Sequence, residues 1–233
     1  IANVLLILGI AALIGPLPVA GQILRRDLPI TIVASVAVLL MSLDGLLSRL
    51  DGAILLVALI AYLFVTVRSA RYGDSPPSAE ELEARQYGRR PIPLLTNIAL
   101  IAGGLALLVI GANWLVEGAA AFASALGISQ LIIGLTVVAV GTSLPEIATT
   151  VIAGLRGERD IAVGNVVGSN LLNLLCVLGI TLVVDPNGIV VPASALRLDL
   201  PVMIGAIALC APLFFTRKLV SRREGILLLV YYI

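Results

Sequence analysis

One stretch of the chain carries oxygen chemistry in apolar surroundings. Gly141-Thr142-Ser143-Leu144-Pro145-Glu146 lies inside a hydrophobic span, and after a charged turn a second span carries Asn165, Ser169 and Asn173 at intervals of four. That interval places the three polar residues on one helix face. A carboxylate at bilayer depth costs on the order of 3 kcal/mol on insertion scales, which argues for a use. Pro145 has no amide N–H and disfavours helical angles at Leu144, so the span from 128 to 155 is expected to break near Gly141 to Leu144. Such a break frees backbone carbonyls, which are tolerated at that depth only in an enclosed or watery cavity, where they serve as cation ligands. Carboxylate, hydroxyl, amide and carbonyl oxygens are hard donors, suited to Ca2+ or Na+ and poorly suited to Zn2+ or copper.

Structural readings compete with the ionic one. Ser143 to Glu146 also fits an S-x-x-E capping box, although a neutral Gln caps as well without the cost of a buried charge. Asn165, Ser169 and Asn173 also suit interhelical hydrogen bonding, and Gly164 with Gly168 suits close helix packing. Asn113 and Glu117, beside Trp114, are expected at an interfacial span end. Asp44 and Asp51 read as ordinary loop charges.

The elements that must hold these residues are membrane helices. The sequence is 60% hydrophobic and 12% charged with a mean hydropathy of +1.12, and its apolar runs approach the ~20 residues that cross a bilayer. No run alternates polar and apolar residues, so a helical bundle is favoured over a barrel. Apolar spans fall at about 1–14, 28–47, 52–67, 92–112, 128–155, 161–184, 200–216 and 224 to the end. The segment 68–91, with Pro76-Pro77, three Glu and five Arg, reads as an aqueous linker. Counting basic residues on alternate sides puts 13 of 15 on one side, leaving Arg49 and Arg197 on the other. By the positive-inside rule the linker and the 156–160 turn are cytoplasmic.

Several functions are excluded or disfavoured. With no His at all, the HExxH hydrolase reading fails and the usual proton shuttle is missing. No P-loop or paired nucleophile and base is present, so neither an enzyme nor a resident cofactor is expected. Cys176 and Cys210 lie in apolar spans and read as packing thiols. Membrane lipid is the expected surrounding and no nucleic-acid partner is expected.

The chain also repeats itself. Asn3-Val4-Leu5-Leu6-Ile7-Leu8-Gly9-Ile10 matches Asn173-Leu174-Leu175-Cys176-Val177-Leu178-Gly179-Ile180, Asp27-Leu28-Pro29 matches Asp199-Leu200-Pro201, and Ser48-Arg49-Leu50-Asp51-Gly52 resembles Ser221-Arg222-Arg223-Glu224-Gly225. The second copy holds five spans, an odd number, so consecutive copies must have opposite orientation. The expected fold is therefore an all-α transmembrane bundle of two inverted five-helix repeats, a plan typical of secondary transporters. Residues 1–67 are read as the later three spans of the first repeat, 68–91 as the cytoplasmic linker and 92–233 as the second repeat. The start at Ile1-Ala2-Asn3, without Met or a basic signal region, reads as a cut from a longer polypeptide, with about eight of ten spans present.

Gly134 through Glu146, followed by Gly164-Asn165-Val166-Val167-Gly168-Ser169-Asn170, resembles the second alpha-repeat of the calcium/cation antiporter superfamily, in its prokaryotic sodium/calcium exchanger-like branch. The resemblance covers nearly the whole chain. It implies exchange of Ca2+ for Na+ by alternating access in a prokaryotic plasma membrane, with both ions bound transiently. It also implies that Glu146 is the principal cation ligand, joined by Thr142, Ser143, the Ala139 carbonyl, Ser169 and Asn173, with Asn3 contributed by the first repeat. Within the same resemblance, H+ or K+ as driving ion is the alternative. A non-transporting membrane scaffold is the alternative from a different class.

Overall fold

The computed structural model describes residues 1–72, 93–128, 133, 137 and 139–232. Most of the expected 68–91 linker lies outside the described residues, and what is described of it continues the preceding helix to Tyr72. Two compact units are present, one formed by 1–60 with 146–233 and the other by 61–145.

In the larger unit the helices are α1 (Leu8–Ile14), α2 (Leu28–Met41) and α3 (Arg49–Tyr72), which runs on into the smaller unit. In the smaller unit are α4 (Leu94–Ala125) and the short α5 (Ala139–Gly141). The chain then forms α6 (Leu144–Arg156), α7 (Arg159–Leu172), α8 (Leu178–Val184), α9 (Leu200–Arg217) and α10 (Arg222–Tyr232). Among the described residues five helical runs are long and apolar enough to cross a membrane: Ile23–Asp44, Arg49–Ser69, Leu94–Ala125, Ile161–Val184 and Ala195–Phe214. Their outward faces are apolar, with Val33, Leu50, Ile60, Leu95 and Leu107 all exposed, as lipid contact allows.

The expected span at 92–112 is longer than the sequence reading allowed. Its helix runs 32 residues to Ala125, so Asn113 and Glu117 sit on exposed turns inside it rather than at its end. The helix carries on through Gly118 because the alanine-rich 119–125 segment beyond it holds no glycine or proline. The helix stops where Gly127 takes a φ of +78° and the Ile128 N–H returns to the Ala123 carbonyl at 3.1 Å, a glycine-terminated helix end.

The repeat is visible as matched geometry. Wide π turns precede matched helices in both copies: Asn3–Ile7 with Asn173–Val177, and Ile23–Asp27 with Ala195–Asp199. Among the described residues four two-residue strands pair crosswise. β1 (Leu17–Pro18) pairs with β4 (Leu219–Val220), and β2 (Leu46–Leu47) pairs with β3 (Ile189–Val190), both antiparallel. Leu17 faces Val220, and their counterparts Ile189 and Leu47 face each other. Exchanging the copies thus converts one ribbon into the other with register intact. Because a membrane-length helix separates β1 from β2, the ribbons lie at its opposite ends and the exchange inverts the structure across the membrane.

Glycine contacts obey the same relation. A methyl group on Gly9 would sit 3.1 Å from the Gly225 carbonyl oxygen, and one on Gly52 would sit 2.8 Å from that of Gly179. Helices α1 with α10, and α3 with α8, therefore cross with backbones in contact, which small residues make possible. The core around them gathers Leu5, Leu8, Ala11 and Leu17 with Val163, Val166, Phe214 and Val220. Each repeat thus supplies half of one core.

The ribbons also bring together the loops that charge counting assigns to one side. β1 and β4 join the loops bearing Arg25, Arg26, Lys218 and Arg222, while β2 and β3 join those near Arg49 and Arg197. Arg159 belongs with the first group, since a methyl on Gly15 beside β1 would lie 2.7 Å from its Cζ.

Candidate cation site

The polar stretch folds as a broken helix. Helix α5 ends at Gly141, Thr142 and Ser143 form a turn, and α6 resumes at Leu144 with Pro145 and Glu146 in its first turn. The Ser143 N–H donates to the Val140 carbonyl at 3.0 Å. Proline tolerates that position because first-turn amides have no intrahelical acceptor. In the smaller unit, a side chain on Gly141 would collide with Val116 of α4, so only glycine fits at the break.

Glu146 sits at the start of α6, where the helix dipole favours negative charge. Its Oε2 is buried and has no hydrogen-bond partner among the described residues. Two other S-x-x-acid motifs among the described residues behave differently. The Ser48 N–H donates to Asp51 Oδ2 at 2.8 Å and the Ser221 N–H donates to Glu224 Oε2 at 2.6 Å, so those two carboxylates cap helices. Asp51 is thus a cap rather than a free loop charge, and Asp44 accepts from the Leu46 N–H at 3.0 Å. Buried carboxylate oxygens normally have partners, and one without a partner is poised to take up a cation.

Helix α7 supplies a spine beside α6. Its apolar face buries Ala162, Val163, Val166 and Val167 in the core, which leaves Asn165 and Ser169 on another face. Asn165 Nδ2 lies 2.9 Å from Thr150 Oγ1, 3.2 Å from Thr149 Oγ1 and 3.4 Å from the Glu146 carbonyl oxygen. Its amide therefore ties α7 to the turn that carries Glu146. One turn further along, Ser169 Oγ accepts from Asn3 Nδ2 at 3.1 Å. The structure so joins residues of the two repeats that lie 166 positions apart.

Asn3 is 7% exposed and opens one π turn, while Asn173 opens the matching one and is exposed. Glu146, Ser169, Asn173 and Asn3 belong to the larger unit, and Ala139, Thr142 and Ser143 to the smaller. Asn165 was read from its spacing as part of a polar stripe. Its use as a crosslink depends on Thr149 and Thr150 of the neighbouring helix, which spacing along one span does not reveal. Among the described residues no group of three or more His, Cys, Asp or Glu gathers.

The family model described as sodium/calcium exchanger protein matches residues 1–68 and 96–233. This chain belongs to the sodium/calcium exchanger family. Among relatives in it, the protein named "Putative antiporter CaxA" from Alkalimonas amylolytica is 37% identical over 237 residues, covering 100% of this chain and 73% of that protein. Inner membrane protein YrbG of Escherichia coli is 38% identical over 191 residues, covering 81% of this chain and 58% of its own length. A solved structure of the sodium-calcium exchanger NCX_Mj, soaked with zero Na+ and Ca2+, superposes with a TM-score of 0.77 at 29% identity, covering 99% of this chain and 70% of that one. The chain therefore spans part of the length of each of these exchanger-family relatives.

Proposed function

We propose that this chain forms most of a secondary active antiporter that exchanges Ca2+ for Na+ across a prokaryotic plasma membrane. The observation that carries the reading is the buried, unpartnered Oε2 of Glu146, at the start of a helix interrupted beside Pro145. Membership of a transporter family supports it. Glu146 is the principal ligand in this reading, with Thr142, Ser143, the Ala139 carbonyl, Ser169, Asn173 and Asn3 as the remaining oxygen donors near the membrane midplane. Ca2+ and Na+ compete for these oxygens, and competition couples their opposed movements without ATP.

The inverted repeat supports alternating access, because two arrangements related by the pseudo-two-fold axis open the site to opposite sides. The experiment uses the full-length protein in sealed vesicles with Na+, K+ or pH gradients imposed in turn. Ca2+ uptake that follows the Na+ gradient alone supports the reading. Uptake that follows only the pH or K+ gradient replaces the driving ion, and no gradient-dependent uptake overturns antiport.

A further inference from the structure

A cavity of about 410 Å3 opens beside the ribbon of β1 and β4, lined by Gly21, Gln22, Leu24, Arg25 and Lys218. That volume falls in the range of small-molecule sites, roughly 300–1,000 Å3. None of the described residues that line it is acidic, and among the described residues neither Arg25 nor Lys218 makes a side-chain hydrogen bond or ion pair. Asp27, two residues beyond Arg25, lies 3.0 Å from Arg26 Nε instead. Two cations thus share one cavity without a carboxylate among its walls, and an anion placed between them is attracted by both.

The inverted repeat separates what the fold requires here from what it does not. Lys218 is matched by Gly45 in the other ribbon: the Val19 N–H donates to the Lys218 carbonyl at 2.9 Å, and the Val191 N–H donates to the Gly45 carbonyl at 2.9 Å. Both residues are left-handed, Gly45 with a φ of +83° and Lys218 with a φ of +50°. Glycine takes that conformation without steric cost and lysine does not, so the backbone calls for glycine in both copies. The lysine is explained by its side chain alone. Arg25 and Arg197 each stand two residues before the matched Asp27 and Asp199, so the opposite ribbon carries one cation at these two positions where this one carries two. The doubled charge lies on the side that the count of basic residues assigns to the cytoplasm.

We infer that this cavity binds a phosphate group, carried by the headgroup of an anionic phospholipid in the cytoplasmic leaflet. Arg25 offers a planar fork to two phosphate oxygens, and Lys218 adds a point charge. The first-turn amides of the helical run that starts at Gly21 have no intrahelical acceptor and add donors of the right sign. Free phosphate presents the same oxygens. The headgroup is the favoured carrier because the cavity stands at the end of a membrane-length helix, Ile23–Asp44, where basic pockets between helices meet anionic lipid. The cavity shares no residue with the cation site, so the two readings stand or fall separately.

Short-chain phosphatidylglycerol, short-chain phosphatidylcholine and inorganic phosphate are each titrated against the full-length protein in detergent, with the melting temperature as readout. Phosphatidylglycerol raises it saturably, and phosphatidylcholine, whose choline offsets the phosphate charge, does not. Lys218→Gly and Arg25→Gln each raise the half-saturating phosphatidylglycerol concentration roughly tenfold, the scale of one hydrogen bond to a charged group. Lys218→Gly also relieves the left-handed backbone, so its melting temperature without lipid stays at or above the wild-type value. Arg197→Gln, the matched change at the opposite ribbon, leaves half-saturation unchanged. A saturable rise with inorganic phosphate, lost in the same two variants, supports the phosphate site and makes a soluble anion its occupant. No rise with either probe overturns the inference. So does a rise that survives Lys218→Gly and Arg25→Gln, or one that Arg197→Gln weakens equally, which would mark diffuse surface charge.

Discussion

Arg222 donates through Nη2 to the Ile14 carbonyl at 3.3 Å, closing the end of α1 against the start of α10. Its counterpart Arg49 donates through Nε to the Asp185 carbonyl at 3.2 Å and through Nη2 to that of Val184 at 3.5 Å, closing the end of α8 against the start of α3. A cation at a helix C-terminus satisfies orphan carbonyls and complements the dipole. The helices so fastened continue from the π turns that begin at Asn3 and Asn173. Replacing either Arg by Ala is expected to lower stability by about 0.5–1.5 kcal/mol, since both side chains are exposed. For Arg49, Lys should restore little, because a single ammonium does not reproduce the forked contact. Thermal unfolding of the purified protein in detergent measures both effects.

The glycine crossings predict an ordered pair of defects. A methyl on Gly52 would stand 2.7 Å from Leu182 Cβ and 2.8 Å from the Gly179 carbonyl oxygen, whereas one on Gly179 would meet Leu56 Cδ2 at 3.1 Å. The first clash involves groups that cannot swing away, and the second a side-chain end that can. Gly52→Ala is expected to cost about 1–3 kcal/mol by overpacking and Gly179→Ala less, read as a larger fall in melting temperature for Gly52→Ala.

Asn165 makes a separate prediction. Thr149 Oγ1 itself lies 3.1 Å from the Glu146 carbonyl, so the Asn165 amide completes a polar knot between α6 and α7. Asn165→Ala leaves a wholly buried Thr150 without that donor and should cost about 1–3 kcal/mol. Asn165→Asp removes the donor and adds a charge beside the turn of Glu146, so it should weaken Ca2+ uptake more than the alanine variant does. Equal uptake in the two would show that the knot does not position the Glu146 turn.

Sidedness is checked by cysteine labelling in a protein with Cys176 and Cys210 changed to Ala. Gln22→Cys, beside β1, should react with an impermeant maleimide only from the cytoplasmic side, and Asn187→Cys, beside β3, only from the opposite side. Both positions are exposed. Reaction of both from one side would contradict the inverted relation of the ribbons.

The repeat and the helix break were legible in the sequence because each rests on local chemistry. Proline at 145 cannot continue a hydrogen-bond ladder, and Asn3-Val4-Leu5-Leu6 against Asn173-Leu174-Leu175-Cys176 reads as one pattern written twice. The two-residue ribbons were not legible, since Leu17, Leu46, Ile189 and Leu219 become strands only when folding brings distant loops together. The π turns were equally hidden, because each is a single widened turn of five residues, too short to show as a change of hydrophobic period. The stripe of Asn165, Ser169 and Asn173 was visible as a stripe. Its division of labour was not, because the division depends on Thr149, Thr150 and Asn3 across helix interfaces.

If Glu146 holds the transported cation, Ca2+ binding and uptake by the full-length protein must both depend on its charge, and Glu146→Gln removes that charge with little change of shape. A ligand that binds only the folded protein stabilises it by about 2.7 kcal/mol at a hundred times its dissociation constant. Saturating Ca2+ should therefore raise the melting temperature of the wild type, and Na+ should compete with that rise. In Glu146→Gln the rise should vanish and Na+-driven Ca2+ uptake should fall to the level of empty vesicles. Wild-type uptake and an unchanged Ca2+-induced rise in the variant would contradict the account.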